Sequence, residues 1–207
     1  VRCLRAKGLL VYGGFIVGFD ADGPDSFERT VAFIESCRID FAMAGVLIAI
    51  PGTPLEKRLK DEGRLLFSTV GDAFGVTNIV PKRMSRLEVL RGYRTLLERL
   101  YDPRRFFARA SAALAEWKQG KKRPLAFREL LAVPRSIIRQ GIFSRYSLHY
   151  WRFMLRTLFT QPRKLARAFA TAISGHHFFR YTRKVVMPQL AAAERQLLES
   201  QPGLRTA

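Results

Sequence analysis

The spacing of apolar and polar positions changes period along this chain. Leu9 to Phe19 is a mostly apolar run with valine and isoleucine. That pattern predicts a strand buried on both faces, as in a parallel sheet. Residues 2–7 read as the end of a helix, with Arg2, Arg5 and Lys7 near its C-terminus and Gly8 just beyond it. The stretch DADGPDSFERTVAFIESCR predicts an acidic loop and an amphipathic helix. Pro24, Asp25 and Glu28 sit at the positive end of that helix, and Phe27, Val31, Phe33 and Ile34 supply its apolar face. A second apolar run, Phe41 to Gly52, is again strand-like and stops at Pro51-Gly52. TPLEKRLKDEGRL then reads as a short helix with Thr53 as N-cap, Pro54 in its first turn and Gly63 as terminator. Strand, loop, helix and strand in this order make a βαβ unit and place the N-terminal piece in the α/β class.

From Leu66 the period becomes helical. FSTVGDAFGVTNIVPKRM is irregular, and Ser85 with Glu88 forms a capping box that opens a helix closing before Pro103. PRRFFARASAALAEWKQ is another helix, and Gly120 to Pro124 is a basic linker. Three more helices are expected near 125–140, 146–160 and 162–198, the last broken near Gly175 and Pro188. The expected organisation is an α/β piece over residues 1–65, followed by an all-α, basic domain over residues 66–207.

Charge sharpens this division. Of the net +19, residues 1–100 carry 15 − 12 = +3, and residues 101–207 carry 21 − 5 = +16. Such asymmetry calls for an anionic partner: nucleic acid, a lipid surface or an acidic neighbouring domain. Cys3 and Cys37 are too few and too widely spaced for a disulfide framework, a zinc site or an iron–sulfur motif. They read as reduced thiols of a cytoplasmic protein. The longest apolar run, Phe41 to Pro51, is about half the length that spans a bilayer. The chain opens on Val1 without a signal-peptide pattern, and the expectation is a fragment of a longer product.

Both predicted strands end in unusual residues: Gly18-Phe19-Asp20-Ala21-Asp22 after the first and Ile50-Pro51-Gly52-Thr53 after the second. In parallel β/α proteins ligands bind at the carboxyl ends of strands. Glycine lets a flat ligand approach the backbone, because no Cβ intervenes. The same glycines would also serve tight turns and close helix–strand packing.

GGFIVGFDADGPDSFERTVAFIE followed by IAIPGTPLEKRL resembles the fifth and sixth strands of the radical S-adenosylmethionine barrel. The resemblance places the adenine of S-adenosylmethionine beside a G-x-I-x-G pattern, here Gly14, Ile16 and Gly18. It adds an acidic position at Asp22, where Asp20-Ala21 replaces the Pro-Gly pair common in relatives, and the turn Ile50, Pro51 and Gly52. The PGTPL stretch resembles the branch with a cobalamin-binding domain before the barrel. The helical remainder resembles the C-terminal domain found behind such barrels, including those of hopanoid methylases.

The resemblance implies a parent enzyme that cleaves S-adenosylmethionine reductively to a 5′-deoxyadenosyl radical, with methyl transfer through cobalamin to an unactivated carbon of a lipid-like or other small molecule. It implies S-adenosylmethionine, a [4Fe–4S] cluster and cobalamin as the parent's cofactors. The cluster motif C-x-x-x-C-x-x-C is absent from this chain, as are the first four strands and the cobalamin site. The implied partners are therefore the missing N-terminal barrel and cobalamin-binding domains, and the isolated chain is expected to be inactive. No catalytic acid, base or nucleophile and no metal ligand is identifiable.

Asp72 and Asn78 are minor substrate candidates, against ordinary loop chemistry. Adjacent His176 and His177 diverge by about 100° on a helix and are not a natural chelate. RYSLHYWRFMLRTLF interleaves arginines with aromatic residues. It reads as a helical core with solvated arginines, as a contact for an anionic membrane surface at the inner face, or as a nucleic-acid contact, although no recognised nucleic-acid module is present in the sequence. The alternative to an enzyme part is thus a non-catalytic basic module that docks on a membrane or nucleic acid.

Overall fold

A computed structural model of the chain describes residues 1–69, 77–118 and 127–200. The α/β start followed by helices is observed. After α1 (Arg2–Ala6), strand β1 (Tyr12–Val17) leads through α2 (Ser26–Ser36) to β2 (Phe41–Val46), and the two strands pair in parallel. The helices α3 (Pro54–Asp61), α4 (Arg86–Leu100), α5 (Pro103–Glu116), α6 (Phe127–Ser136), α7 (Ser147–Thr160), α8 (Leu165–Tyr181) and α9 (Met187–Ser200) follow.

Local signals set these ends. Thr53 Oγ accepts from the Glu56 amide at 3.3 Å, and Gly63 takes φ +65° beyond α3. Ser85 and Glu88 close the expected capping box in both directions, at 2.7 and 3.1 Å. Asp102 caps α5 through the Arg105 amide at 2.9 Å, with Pro103 in the first turn.

Four expectations are corrected. Strand β1 is shorter than the apolar run, and it is not buried on both faces: Tyr12, Gly14 and Ile16 alternate outward and are exposed. Tyr12 stacks on the buried Phe41 ring at 5.0 Å, while among the described residues Gly14 and Ile16 stand open. β2 likewise ends at Val46, short of Gly52. Phe33 is exposed, because Phe27, Val31 and Ile34 share one face of α2 at spacings of four and three and Phe33 does not. Finally, α8 runs unbroken through Gly175. The helix changes instead at the π turn Thr182–Val186, just ahead of Pro188, which has no N–H for the helical ladder.

The chain forms two compact units. The first comprises Val1–Gly13, Phe33–Ala42 and Arg99–Tyr181. Its core packs Phe106 and Phe107 of α5 against Tyr150, Phe153 and Met154 of α7 and Ala168, Ala172 and Phe179 of α8. Gly175 makes this possible: a Cβ there would lie 2.4 Å from the Phe106 ring. Each fully buried ring contributes about 1.5–3 kcal/mol by leaving water. Buried Arg5 ties α1 to Glu116 at 2.9 Å and to the carbonyls of Cys37 and Arg38.

The second unit comprises Gly14–Ala32, Met43–Glu98 and the segment from Thr182. Here Phe27 and Val31 of α2 are buried, as are Val17, Val46, Val89 and Leu96. Gly92 of α4 admits the Phe27 ring, where a Cβ would stand 2.3 Å away. A small second cluster of Ala49, Leu59 and Ile79 is held by an antiparallel bridge between Leu65 and Ile79. Glu194 of α9 takes Arg91 at 2.7 Å and Arg94 at 3.5 Å.

Candidate functional site

The two strand ends lie in the second unit. Gly18 leaves β1 with φ +92°, a conformation that favours glycine, and a Cβ there would touch Val46 and Val89 at 3.4 and 3.5 Å. The chain's own turn and packing therefore account for Gly18. Gly14 differs: a Cβ there would meet nothing within 4 Å. Among the described residues neither packing nor dihedral angle requires glycine at that position. Ile16, two residues on and on the same face, is 57% exposed.

Asp22 is committed to the backbone. Its Oδ2 accepts from the amides of Gly18 at 2.8 Å and Phe19 at 2.9 Å, which folds the turn back on the strand end. Asp20, in the position of the altered Pro-Gly pair, pairs with the guanidinium of Arg64. The Arg64 hydrogen bond holds the Asp20 carboxyl below its ordinary pKa, and the same pairing raises that of Arg64.

The turn beyond β2 is built as a clamp. Ile50 is exposed and its carbonyl accepts from Thr53 Oγ at 2.7 Å. Pro51 is half-buried, and Gly52 turns at φ +78° and donates its amide to Glu56 Oε2 at 2.8 Å. The bond from Lys60, then that from Gly52, lowers the pKa of Glu56. Asn78, fully buried, accepts from the Ala49 amide at 2.9 Å and donates to the carbonyls of Ala49 at 2.9 Å and Phe67 at 3.0 Å. Thr77 donates to the Leu47 carbonyl at 2.8 Å. Asn78 is thus a backbone clamp behind Ile50–Gly52. No local pattern announces this role, because its partners lie 29 and 11 positions away. Asp72 lies outside the described residues.

A family model described as a domain of unknown function, DUF4070, matches residues 53–189. The chain belongs to the DUF4070 family. The DUF4070 match begins at the N-cap of α3 and ends in α9, so β1 and its glycines precede it. The hopanoid C-2 methylase of Rhodopseudomonas palustris is 28% identical over 193 residues, 89% of this chain and 35% of that protein. An uncharacterized methyltransferase of Synechocystis is 28% identical over 201 residues, 94% of this chain and 37% of that protein. The bacteriochlorophyllide d C-12(1)-methyltransferase of Chlorobaculum tepidum is 28% identical over 117 residues, 56% of this chain and 25% of that protein. The chain spans about a third of the length of the first two relatives and a quarter of the third. No solved structure matches it. The resemblance drawn from the sequence stands: the DUF4070 chain is related to hopanoid methylases and to the C-terminal region of cobalamin-branch radical S-adenosylmethionine proteins.

Elsewhere, the histidine pair takes structural roles. His176 pairs with the Tyr146 hydroxyl, and His177 stacks on Tyr181 at 6.1 Å. Among the described residues no group of three His, Cys, Asp or Glu is placed to hold a metal ion, and no helix is long and apolar enough to cross a membrane.

Proposed function

We propose that this chain is the C-terminal part of a cobalamin-associated radical S-adenosylmethionine methyltransferase that acts on an unactivated carbon of a lipid-like or other small molecule. In this reading β1 and β2 are the fifth and sixth strands of a barrel, residues 66–207 are its helical C-terminal domain, and the preceding strands and cobalamin domain complete it. Gly14 supports the reading most directly. A Cβ at Gly14 would meet no described atom within 4 Å, and such open space suits the flat face of adenine.

The residues divide their work accordingly. Gly14 and Ile16 form the wall, with Ile16 supplying apolar contact. Gly18 and Asp22 hold the strand end in shape, Asp22 through the two backbone amides it already occupies. Ile50, Pro51 and Gly52 offer the second edge, fixed from behind by Asn78 and Glu56. S-adenosylmethionine supplies hydrogen-abstracting radical chemistry when bound, and cobalamin the methyl group. The donors of this chain do not fit an iron–sulfur cluster: Cys3 is exposed, Cys37 half-buried, and among the described residues neither belongs to a group of three ligands. No step through a cluster is therefore assigned to these residues.

The test is S-adenosylmethionine binding by the polypeptide that joins this chain to the four preceding strands. Gly14→Val should weaken binding about tenfold or more, roughly 1.4 kcal/mol, with thermal stability unchanged. Equal affinity in a stable variant would remove Gly14 from the site.

A further inference from the structure

Helix α7 is divided into three sectors, and only one is buried. At about 100° per residue, Tyr150, Phe153, Met154 and Thr157 face the core. Leu158, Trp151, Leu155, Leu148 and Phe159 fall together in a second sector of about 100°, and all five are solvent-exposed. Leu148 is 76% exposed and Phe159 79%. The π turn Ile137–Ile142 extends this surface, because the Trp151 indole donates to the Gly141 carbonyl at 3.0 Å and packs on Gly141. That turn presents Ile138 and Ile142, with Phe143 next to it 79% exposed.

The third sector is basic. Arg152, Arg156 and His149 project toward α5, where Arg104 and the small side chains Ala108, Ser111, Ala112 and Ala115 complete a groove of about 370 Å³. Among the described residues no acid lines this groove, and Arg104, Arg152 and Arg156 have no ion-pair partner. Between Glu129 and Glu194 the sequence carries eleven Lys or Arg and no Asp or Glu.

We propose that this face of α7 and α5 docks on an anionic phospholipid bilayer. The stripe from Leu148 to Phe159 enters the acyl boundary, and the arginine groove takes lipid phosphate. The pairing of the two sectors selects this occupant. Leu148, Leu155 and Leu158 of the stripe have no ring to stack on a base, and an acid-free basic flank complements a negatively charged surface. The face uses none of the residues assigned to the adenine wall, so it stands or falls separately.

The test is flotation of the full chain with phosphatidylcholine vesicles, with and without phosphatidylserine. Binding is expected only with phosphatidylserine. The triple variant Leu148→Ser, Leu155→Ser, Phe159→Ser should bind about tenfold or more weakly. The triple variant Arg104→Gln, Arg152→Gln, Arg156→Gln should lose on the order of 100-fold, at about fivefold per arginine. Both variants change surface side chains, so circular dichroism should match the wild type. Absence of binding to either vesicle would overturn the proposal, as would wild-type binding by both variants. Two further outcomes would also overturn it: conversion of a dimer to a monomer by the serine variant without effect on vesicles, or retention of single-stranded RNA in place of vesicles.

Discussion

Removing the Asn78 side chain should destabilise the protein more than its position in a loop suggests. Asn78→Ala deletes three hydrogen bonds, two of them to the amide and carbonyl of Ala49, itself fully buried. A buried polar group left without a partner costs about 1–3 kcal/mol. The two Ala49 groups dominate, because the Phe67 carbonyl belongs to an exposed residue that water can reach. The expected loss is about 3–5 kcal/mol, which for a chain of this size lowers Tm by roughly 10 °C. Asn78→Asp sharpens the test. It keeps an acceptor for the Ala49 amide but turns a carboxylate toward two carbonyls, which raises its folded-state pKa. Stability of that variant should therefore fall as pH rises through the raised pKa and recover in acid. Hydrogen exchange should also speed up at residues 49–53 in Asn78→Ala, since the clamp behind the turn is gone. A Tm shift below about 2 °C, with exchange at 49–53 unchanged, would refute the clamp.

The remaining predictions follow from the glycines and one ion pair. Gly14→Val should leave the thermal stability of this chain unchanged or slightly raised, because no atom lies within 4 Å. Gly18→Val should lower it measurably, because of φ +92° and the contacts with Val46 and Val89. Equal effects would mean that the two glycines do not differ in role. Gly175→Ala should cost about 1–3 kcal/mol by overpacking against Phe106, despite the better helix propensity of alanine; calorimetry showing a gain would contradict that packing. The lowered pKa of Asp20 makes its contribution fully present above the ordinary carboxyl value of 3.8 and lost as pH falls through the folded value. Asp20→Asn should accordingly flatten the stability profile in that acid window, and an unchanged slope would dismiss the pairing with Arg64.

What the sequence makes legible here is local. Thr53 with Pro54, Ser85 with Glu88 and Gly63 mark helix ends because capping chemistry acts within four residues. The strand–helix–strand order follows from the switch of period at Pro24 and again at Phe41. Exposure is a different kind of fact. The apolar run at β1 reads as buried on both faces because composition reports only that a strand could be covered, not that a partner is present to cover it. Gly175 reads as a helix breaker because propensity is local, while its reason is the Phe106 ring of another helix. Asn78 carries no readable signal, since its partners are Ala49, beyond β2, and Phe67. At the site, Gly14, Ile16 and Ile50 do stand open on the surface. Asp22 is spent on its own turn.

The most direct test of the methyltransferase reading is the coding DNA read in frame ahead of the Val1 codon. A C-x-x-x-C-x-x-C motif is expected on the order of 120–150 residues before Gly14, four βα units at about 30 residues each. An in-frame stop close to Val1, with the chain translated by itself in the cell, would contradict it.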